Sequence, residues 1–345
     1  MKIKQEKLKR IAIAILKGFH AQDEEAALVA ECLIHADKRG IDTHGVYFLT
    51  LLAKRVEEGM IRIPTHIEIV RDESTTALID GGNGLGQVAA HRAMEMSIEK
   101  ARRFGMGSVA VRNTNHIGIL AFYTLRIAEQ GMVGIVMCNG AASMPPWGGA
   151  EPFFGTNPIS ISVPGSGEPV VLDMSSSLVA RGKIRRAERM KESIPLGWAL
   201  DQNGEPTTDP SAAMKGTLVP IGGPKGYGLA LMVDVLAGVL SGSQFGPQVK
   251  TFHQPLGPTG VGVFIMAIDV NRFMPIHQFK GLMESYGDSI KKSRKAKGIS
   301  RIYLPGEIEF EKEKKSLAEG IELSDSVADS LNQLLEKVKS PLRLQ

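Results

Sequence analysis

Two cysteines, Cys32 and Cys138, are all that the 345 residues carry. Each lies in an apolar run with no CxxC or His/Cys spacing beside it, which excludes a disulfide framework and points to no structural zinc site or other bound metal. A reducing, cytoplasmic setting fits. Charge of one sign is equally scarce, since 41 basic and 37 acidic residues leave a net charge of +4. The one dense basic stretch, Lys291 to Lys297, reads as a solvated helix face, so no nucleic-acid partner is expected. No uncharged run reaches the roughly 18 apolar residues of a membrane span. The nearest, Gly228 to Leu240, is interrupted by Asp234, and the N-terminal apolar run Ile11 to Leu16 is too short for a signal peptide. No membrane partner is expected either. With 43% hydrophobic and 23% charged residues the chain is instead an ordinary folded protein. Its length allows one large domain or two, at about 150 residues each.

The periodicities read as α/β. Leu8, Ile11, Ala12, Ile15, Leu16 and Phe19 recur at helical spacing; further helices are expected from Asp23 to Arg39, closed by Gly40, and from Phe48 to Glu58, closed by Gly59. Short β-prone runs follow at Ile67 to Val70, Ala77 to Asp80, Ser108 to Arg112, Gly134 to Cys138, Pro158 to Val163 and Val170 to Asp173. Helical patterns at Gln87 to Phe104 and Ile119 to Gly131 interrupt them. Later come a polar turn at Asp201-Gln202-Asn203-Gly204, an apolar helix from Tyr227 to Ser241 and a strand from Val261 to Val270. A helix from Pro275 to Ala296, a strand at Ile302 to Leu304 and a last helix from Ser324 to Val338 complete the pattern.

Gly84-Leu85-Gly86-Gln87-Val88-Ala89 fits the GxGxxG/A pattern of a dinucleotide-binding turn. That fingerprint also wants an acidic residue at the end of the next strand, and here the strand ends in Arg112-Asn113. The turn reads better as a flexible lead into a core helix. Two histidines stand at helix starts, His44 behind Asp42-Thr43 and His116 in Asn113-Thr114-Asn115-His116-Ile117-Gly118. Either can act as a general acid or base near neutral pH, or simply pack as a hydrogen-bonded turn residue. Lys225, among glycines at the start of a helix, suits a phosphate. Asp173-Met174-Ser175 ends a strand with hydrogen-bonding groups suited to a ribose. No GxSxG elbow supports a serine nucleophile.

Taken together, several stretches resemble the malate/L-lactate dehydrogenase type-2 family. They are Arg39-Gly40-Ile41-Asp42-Thr43-His44-Gly45, Asn115-His116-Ile117-Gly118, Phe154-Gly155-Thr156-Asn157-Pro158 and Asp173-Met174-Ser175. Gly182-Lys183, Ser193 to Ala199, Pro206 to Pro210, Gly223 to Gly228 and Leu304-Pro305-Gly306-Glu307 continue the series in the family's order. The resemblance implies a non-Rossmann NAD(P)-binding domain with a largely antiparallel sheet, residues 76–254, beside a companion domain built from residues 1–75 and 255–345. It implies a homodimer and an oxidoreductase that interconverts a small 2-hydroxy acid and its 2-oxo acid with NAD or NADP. A cyclic imine acid reductase and a catalytically inactive NAD(P)-binding regulator are the alternatives. By the same resemblance His116 matches a general base and His44, beside Thr43, a proton donor. Gly140, Asp173, Met174, Ser175, Lys225, Gly306 and Glu307 match cofactor contacts. One departure stands out: Phe48 occupies the position where the family often carries an arginine able to hold a substrate carboxylate. Arg39, Arg55 and Arg181 are the candidates to replace it.

Overall fold

The computed structural model describes residues 1–254 and 256–344. The expected boundary at Pro255 and the terminal Gln345 lie outside the described residues. A seven-stranded sheet forms the centre of the molecule, in the order Glu68–Asp72, Thr76–Asp80, Met106–Thr114, Val261–Asp269, Met132–Cys138, Ile159–Val163, Val170–Met174. All neighbours are antiparallel except Thr76–Asp80 and Met106–Thr114, which run parallel and are joined by the helix Gly86–Phe104. A parallel pair needs such a crossover, whereas the antiparallel pairs do not. The sheet is thus largely antiparallel. Its middle strand, Val261–Asp269, and its edge strand, Glu68–Asp72, come from segments expected to belong to the companion domain, so the sheet draws on chain beyond 76–254.

The sheet is apolar where the helices Gly86–Phe104 and Ala121–Glu129 pack on it. Met132–Cys138 alternates buried and half-buried along its length, as a strand with one face in the core must. A second core joins the two ends of the chain. Leu8, Ile11, Ile15 and Leu16 of the helix Gln5–Gly18 meet Val29 and Leu33 of Asp23–Lys38, Leu49 and Leu52 of Phe48–Glu57, and Leu331 and Leu335 of Asp325–Lys337. Lys2–Ile3 pairs antiparallel with Ile321–Glu322 and closes this body. A third, smaller core gathers Met144, Phe154, Ile184, Ile194 and Leu218 beneath the helix Arg181–Met190.

Most expected elements are present within a few residues. The helix expected at Tyr227 to Ser241 runs as Pro224–Asp234 and then widens into π-helical Val235–Val239. The strand expected at Ile302 to Leu304 is irregular chain. Arg181–Met190 and Glu307–Glu319 are helices that the periodicity reading missed, because both are mostly charged and only Ile184 and Ala187 of the first are buried. No helix among the described residues is long and apolar enough to cross a membrane.

Candidate active site

The two sequence-singled histidines meet. The rings of His44 and His116 stand 5.1 Å apart between centroids, though the residues are far apart in the chain. His44 lies on a single helical turn, Asp42–His44, at the end of the helix Asp23–Lys38. Asp37 of that helix fixes the turn, its Oδ2 accepting the Val46 N–H at 2.8 Å. Its carboxylate packs so closely on Gly45 that any Cβ there would collide with it. His116 hangs from the end of the strand Met106–Thr114. The turn of glycines before the helix Gly86–Phe104, which matches a dinucleotide fingerprint, is filled by protein instead: a Cβ at Gly86 would strike the carbonyl oxygens of Asn115 and His116. Asn115 completes the support, donating to Gly84 O at 2.8 Å and accepting from Thr259 Oγ1 at 2.9 Å.

Aromatic rings wall the histidines. Phe48 stacks on His116 at 4.3 Å, Phe252 stacks on Phe48 at 4.5 Å, and Phe252 itself lies 6.0 Å from the His116 ring centre. Phe252 and His253 were not expected here; they arrive on a segment held by Arg55, which donates to the carbonyls of Gln254 at 3.1 Å and Gly257 at 2.6 Å. The Arg55 guanidinium also lies 4.7 Å from the Phe252 ring centre. Burial holds His44 down at about 4, with Asp42 pulling it back up. Burial likewise holds His116 well below the ordinary histidine range, helped by the neighbouring His44 and His253. Both rings are neutral at pH 7. Nδ1 of His116 accepts the Gly118 N–H at 3.1 Å, and Nδ1 of His44 lies 2.9 Å from Thr43 Oγ1.

The residues matched to cofactor contacts gather along one rim. Ser176 N donates to Thr156 O, Ile221 N to Ser176 O, and Val171 N to Pro305 O, which ties 155–157, 170–177, 220–226 and 305–306 together. Gly140 joins them through its N–H on Asn157 Oδ1, 3.1 Å away. Three side chains on this rim are engaged within the protein: Ser175 Oγ donates to Ser177 O at 3.2 Å and accepts from Ser177 Oγ at 3.1 Å, and Asp173 and Glu307 are likewise taken. Asp173 Oδ2 accepts the Ala121 N–H at 2.8 Å at the start of the helix that follows His116. Burial pushes its carboxyl up to about 6. Glu307 pairs with Lys291 and Arg301 and accepts the Leu304 N–H. Met174, the exposed Lys225 and the backbone at Gly140 and Gly306 remain to face a ligand. Around Gly140 the space that a Cβ would fill is open. A backbone-lined rim with one lysine on the first turn of Pro224–Asp234 fits the diphosphate of a dinucleotide. No cluster of metal-ligating side chains occurs among the described residues.

Of the candidate arginines, two are consumed by the fold. Arg39 is 1% exposed, pairs with Glu313 at 3.0 Å and lies over the Phe310 ring. Arg55 is 2% exposed and tied to three carbonyls. Neither can reach a substrate.

The sequence profile of the malate/L-lactate dehydrogenase family matches residues 3–332. The chain is 40% identical to the malate dehydrogenase of Pyrococcus abyssi, over 98% of this chain and 95% of that protein. It is 38% identical to the L-sulfolactate dehydrogenase of Methanocaldococcus jannaschii, over 98% of this chain and 97% of the relative. Its fold is similar to the crystal structure of malate dehydrogenase from Entamoeba histolytica, with a TM-score of 0.96 at 32% identity, covering 100% of this chain and 99% of that one.

Proposed function

Because the chain belongs to the malate/L-lactate dehydrogenase family, we propose that it interconverts a small 2-hydroxy acid of the malate or sulfolactate kind and its 2-oxo acid, using NAD or NADP. The observation that carries this reading is the neutral histidine pair, His44 against His116, standing beside a backbone-lined rim suited to a dinucleotide.

Bound nicotinamide supplies the hydride chemistry; the chain's own residues handle the oxygen and its proton. With Nδ1 of His116 accepting the Gly118 N–H, a neutral ring keeps its hydrogen on Nε2 and presents a donor. His116 therefore holds the substrate oxygen. His44 is freer, because its Nδ1 partner is a hydroxyl that can donate or accept. With hydrogen on Nδ1, its Nε2 lone pair takes the hydroxyl proton during oxidation and returns it during reduction. This exchanges the roles expected from resemblance, in which His116 was the base. An acid anion arriving beside the pair raises His44 toward the working range.

The same reading includes a homodimer. The helix running from Pro224 through Val239 exposes Leu231, Met232, Val239 and Leu240 on one stripe, with Phe245 beside it; Met232 is 51% and Leu240 59% exposed. A continuous apolar stripe of this kind is costly in water and is covered by a second copy of the chain. The division of labour between a sheet-bearing cofactor body and the body built from the two chain ends belongs to the same proposal.

The test is oxidation of NADH and NADPH by purified protein against a panel of 2-oxo acids, followed by loss of reduced-nicotinamide absorbance, with the 2-hydroxy acids run in reverse. Turnover of at least one acid is expected. A protein that binds NADH and turns over none of the panel would sink the reading.

A further inference from the structure

Phe48 leaves the catalytic cleft without an arginine beside His116, and Arg39 and Arg55 are locked away by the fold. The helix Arg181–Met190 carries the third candidate, Arg181, and stands beside the histidines. Its start is set directly against the catalytic turn: a Cβ on Gly182 would lie 3.2 Å from Thr43 Cγ2. Ile184 and Ala187 bury its underside in the third core, and Arg181 and Arg185, one helical turn apart, lie on the same side of the helix, Arg181 at the edge of that core and Arg185 in the open. Arg181 is half-buried and anchored by one donor, Nη2, to Met214 O at 2.6 Å, which orients the guanidinium and leaves its other donors unspent. Among the described residues neither arginine is paired with a carboxylate; the side-chain bond of Arg181 goes to a backbone carbonyl. Two guanidiniums on one face without a carboxylate partner repel each other, and a bound anion relieves that repulsion.

We propose that Arg181 and Arg185 are the specificity-determining residues of the site, a clamp across the cleft from His44 and His116 that replaces the absent arginine at position 48 and selects a doubly anionic 2-oxo acid. The proposal rests on the dehydrogenase reading above and names which acids it favours. A guanidinium receives a carboxylate through two parallel N–H donors, so one arginine suffices for the carboxylate next to the reacting carbon. The second gives a distal carboxylate or sulfonate a partner. A substrate with a neutral or apolar tail leaves one cation unanswered. Electrostatic agreement comes from further off as well: the two arginines together hold His253, on the segment beside Phe252, below the ordinary histidine range, behind the larger effect of burial. The cationic face therefore looks toward the segment that walls the histidines.

The experiment uses NADH-saturated protein and two probes that cannot react, malonate as the dianion and propionate as the monoanion, titrated by calorimetry. Wild-type protein is expected to bind malonate at least tenfold more tightly than propionate. Arg181→Gln and Arg185→Gln are each expected to weaken malonate by about 10- to 100-fold, the loss of a charge-assisted contact, and to leave NADH affinity within about twofold. Arg181→Lys restores part of the loss, since it returns the charge without the fork. Arg185 is exposed, so its variant folds even if loss of the Met214 contact disturbs the Arg181 variant. Malonate affinity unchanged in Arg185→Gln, or no preference for malonate in the wild type, overturns the clamp. Turnover of a 2-oxo diacid and a 2-oxo monoacid is measured in parallel. Arginine-dependent malonate binding without turnover of any acid leaves the clamp standing and removes the dehydrogenase reading. Turnover with unaltered KM in both glutamine variants does the reverse.

Discussion

Gly86 lies directly beneath His116: the first residue of the helix Gly86–Phe104 is so close to the His116 carbonyl oxygen, and to that of Asn115, that no side chain fits between them. The glycine that mimics a nucleotide-binding turn thus sets the height of the loop that carries His116. Gly86→Ala forces the helix and the loop apart. Overpacking of this kind costs about 1–3 kcal/mol, and the displaced ring should lower kcat more than it raises KM for the cofactor. Urea denaturation together with steady-state kinetics checks both. Wild-type stability and wild-type kcat in the alanine variant would dismiss the positioning role.

The two histidines should separate in their pH behaviour. His44 sits at about 4 because burial disfavours its charged form, so the neutral ring that accepts a proton is present above that value and lost below it. For oxidation of the 2-hydroxy acid, kcat/KM of the wild type is expected to hold from neutral pH down to about 5 and then fall as His44 protonates. His44→Ala removes the acid limb along with about 10²- to 10⁴-fold of the rate. His116→Ala loses about 10²- to 10³-fold, the cost of an oxygen-holding donor, and keeps the limb. An acid limb that disappears in His116→Ala and survives in His44→Ala would return the base to His116.

Much of this site was legible in the chain because its signals are local. His44 and His116 each stand in a polar turn between elements, and the change to a turn, from a helix for His44 and from a strand for His116, is written in adjacent residues. The walls were not. Phe252 joins the site only because Arg55, on a helix formed by residues 48–57, reaches across to the carbonyls of Gln254 and Gly257. Arg55 stands among the candidate ligands of a substrate carboxylate, and nothing in its neighbours announces that its partners are instead backbone carbonyls some 200 positions away. Arg181 stands among the candidate arginines, but its pairing with Arg185 was hidden for a related reason. Their helix is too polar to show a hydrophobic period, and it is held by Ile184 and Ala187 against a core assembled from distant loops. The middle strand Val261–Asp269 was found as a strand, but its insertion between Met106–Thr114 and Met132–Cys138 is a long-range pairing that no local pattern encodes.

The apolar stripe along Pro224 to Val239 leads to an association test. Leu231 and Met232, then Val239 and Leu240, emerge at helical intervals while Val233 and Ala237 face inward. A carboxylate in the middle of a covered apolar patch has no partner and resists burial. Met232→Glu and Leu240→Glu should each shift the protein from dimer toward monomer in sedimentation equilibrium, with far-UV circular dichroism unchanged. A wild-type protein that sediments as a monomer at tens of micromolar concentration would refute the homodimer.

Asp37 places a pH dependence of stability under the turn that carries His44. Burial pushes its carboxyl up to about 7, more than the Val46 N–H pulls it down, and the nearby Asp42 adds to the rise. An unfolded aspartate titrates near 3.9. The folded chain therefore keeps a proton that the unfolded chain has released, and this group's contribution is most favourable below about pH 4 and is lost as the pH rises through 7. From about pH 5 to pH 8 the loss is roughly 2–3 kcal/mol, since each pH unit between the two titration points is worth about 1.4 kcal/mol. Asp37→Asn keeps a carbonyl oxygen for the Val46 N–H and cannot ionise. Its stability relative to the wild type should rise by about that amount over the same interval, read from urea denaturation of both proteins at the two pH values. A difference between the proteins that stays constant with pH would mean that Asp37 titrates like an ordinary surface carboxylate, and that the turn carrying His44 is held by backbone geometry alone.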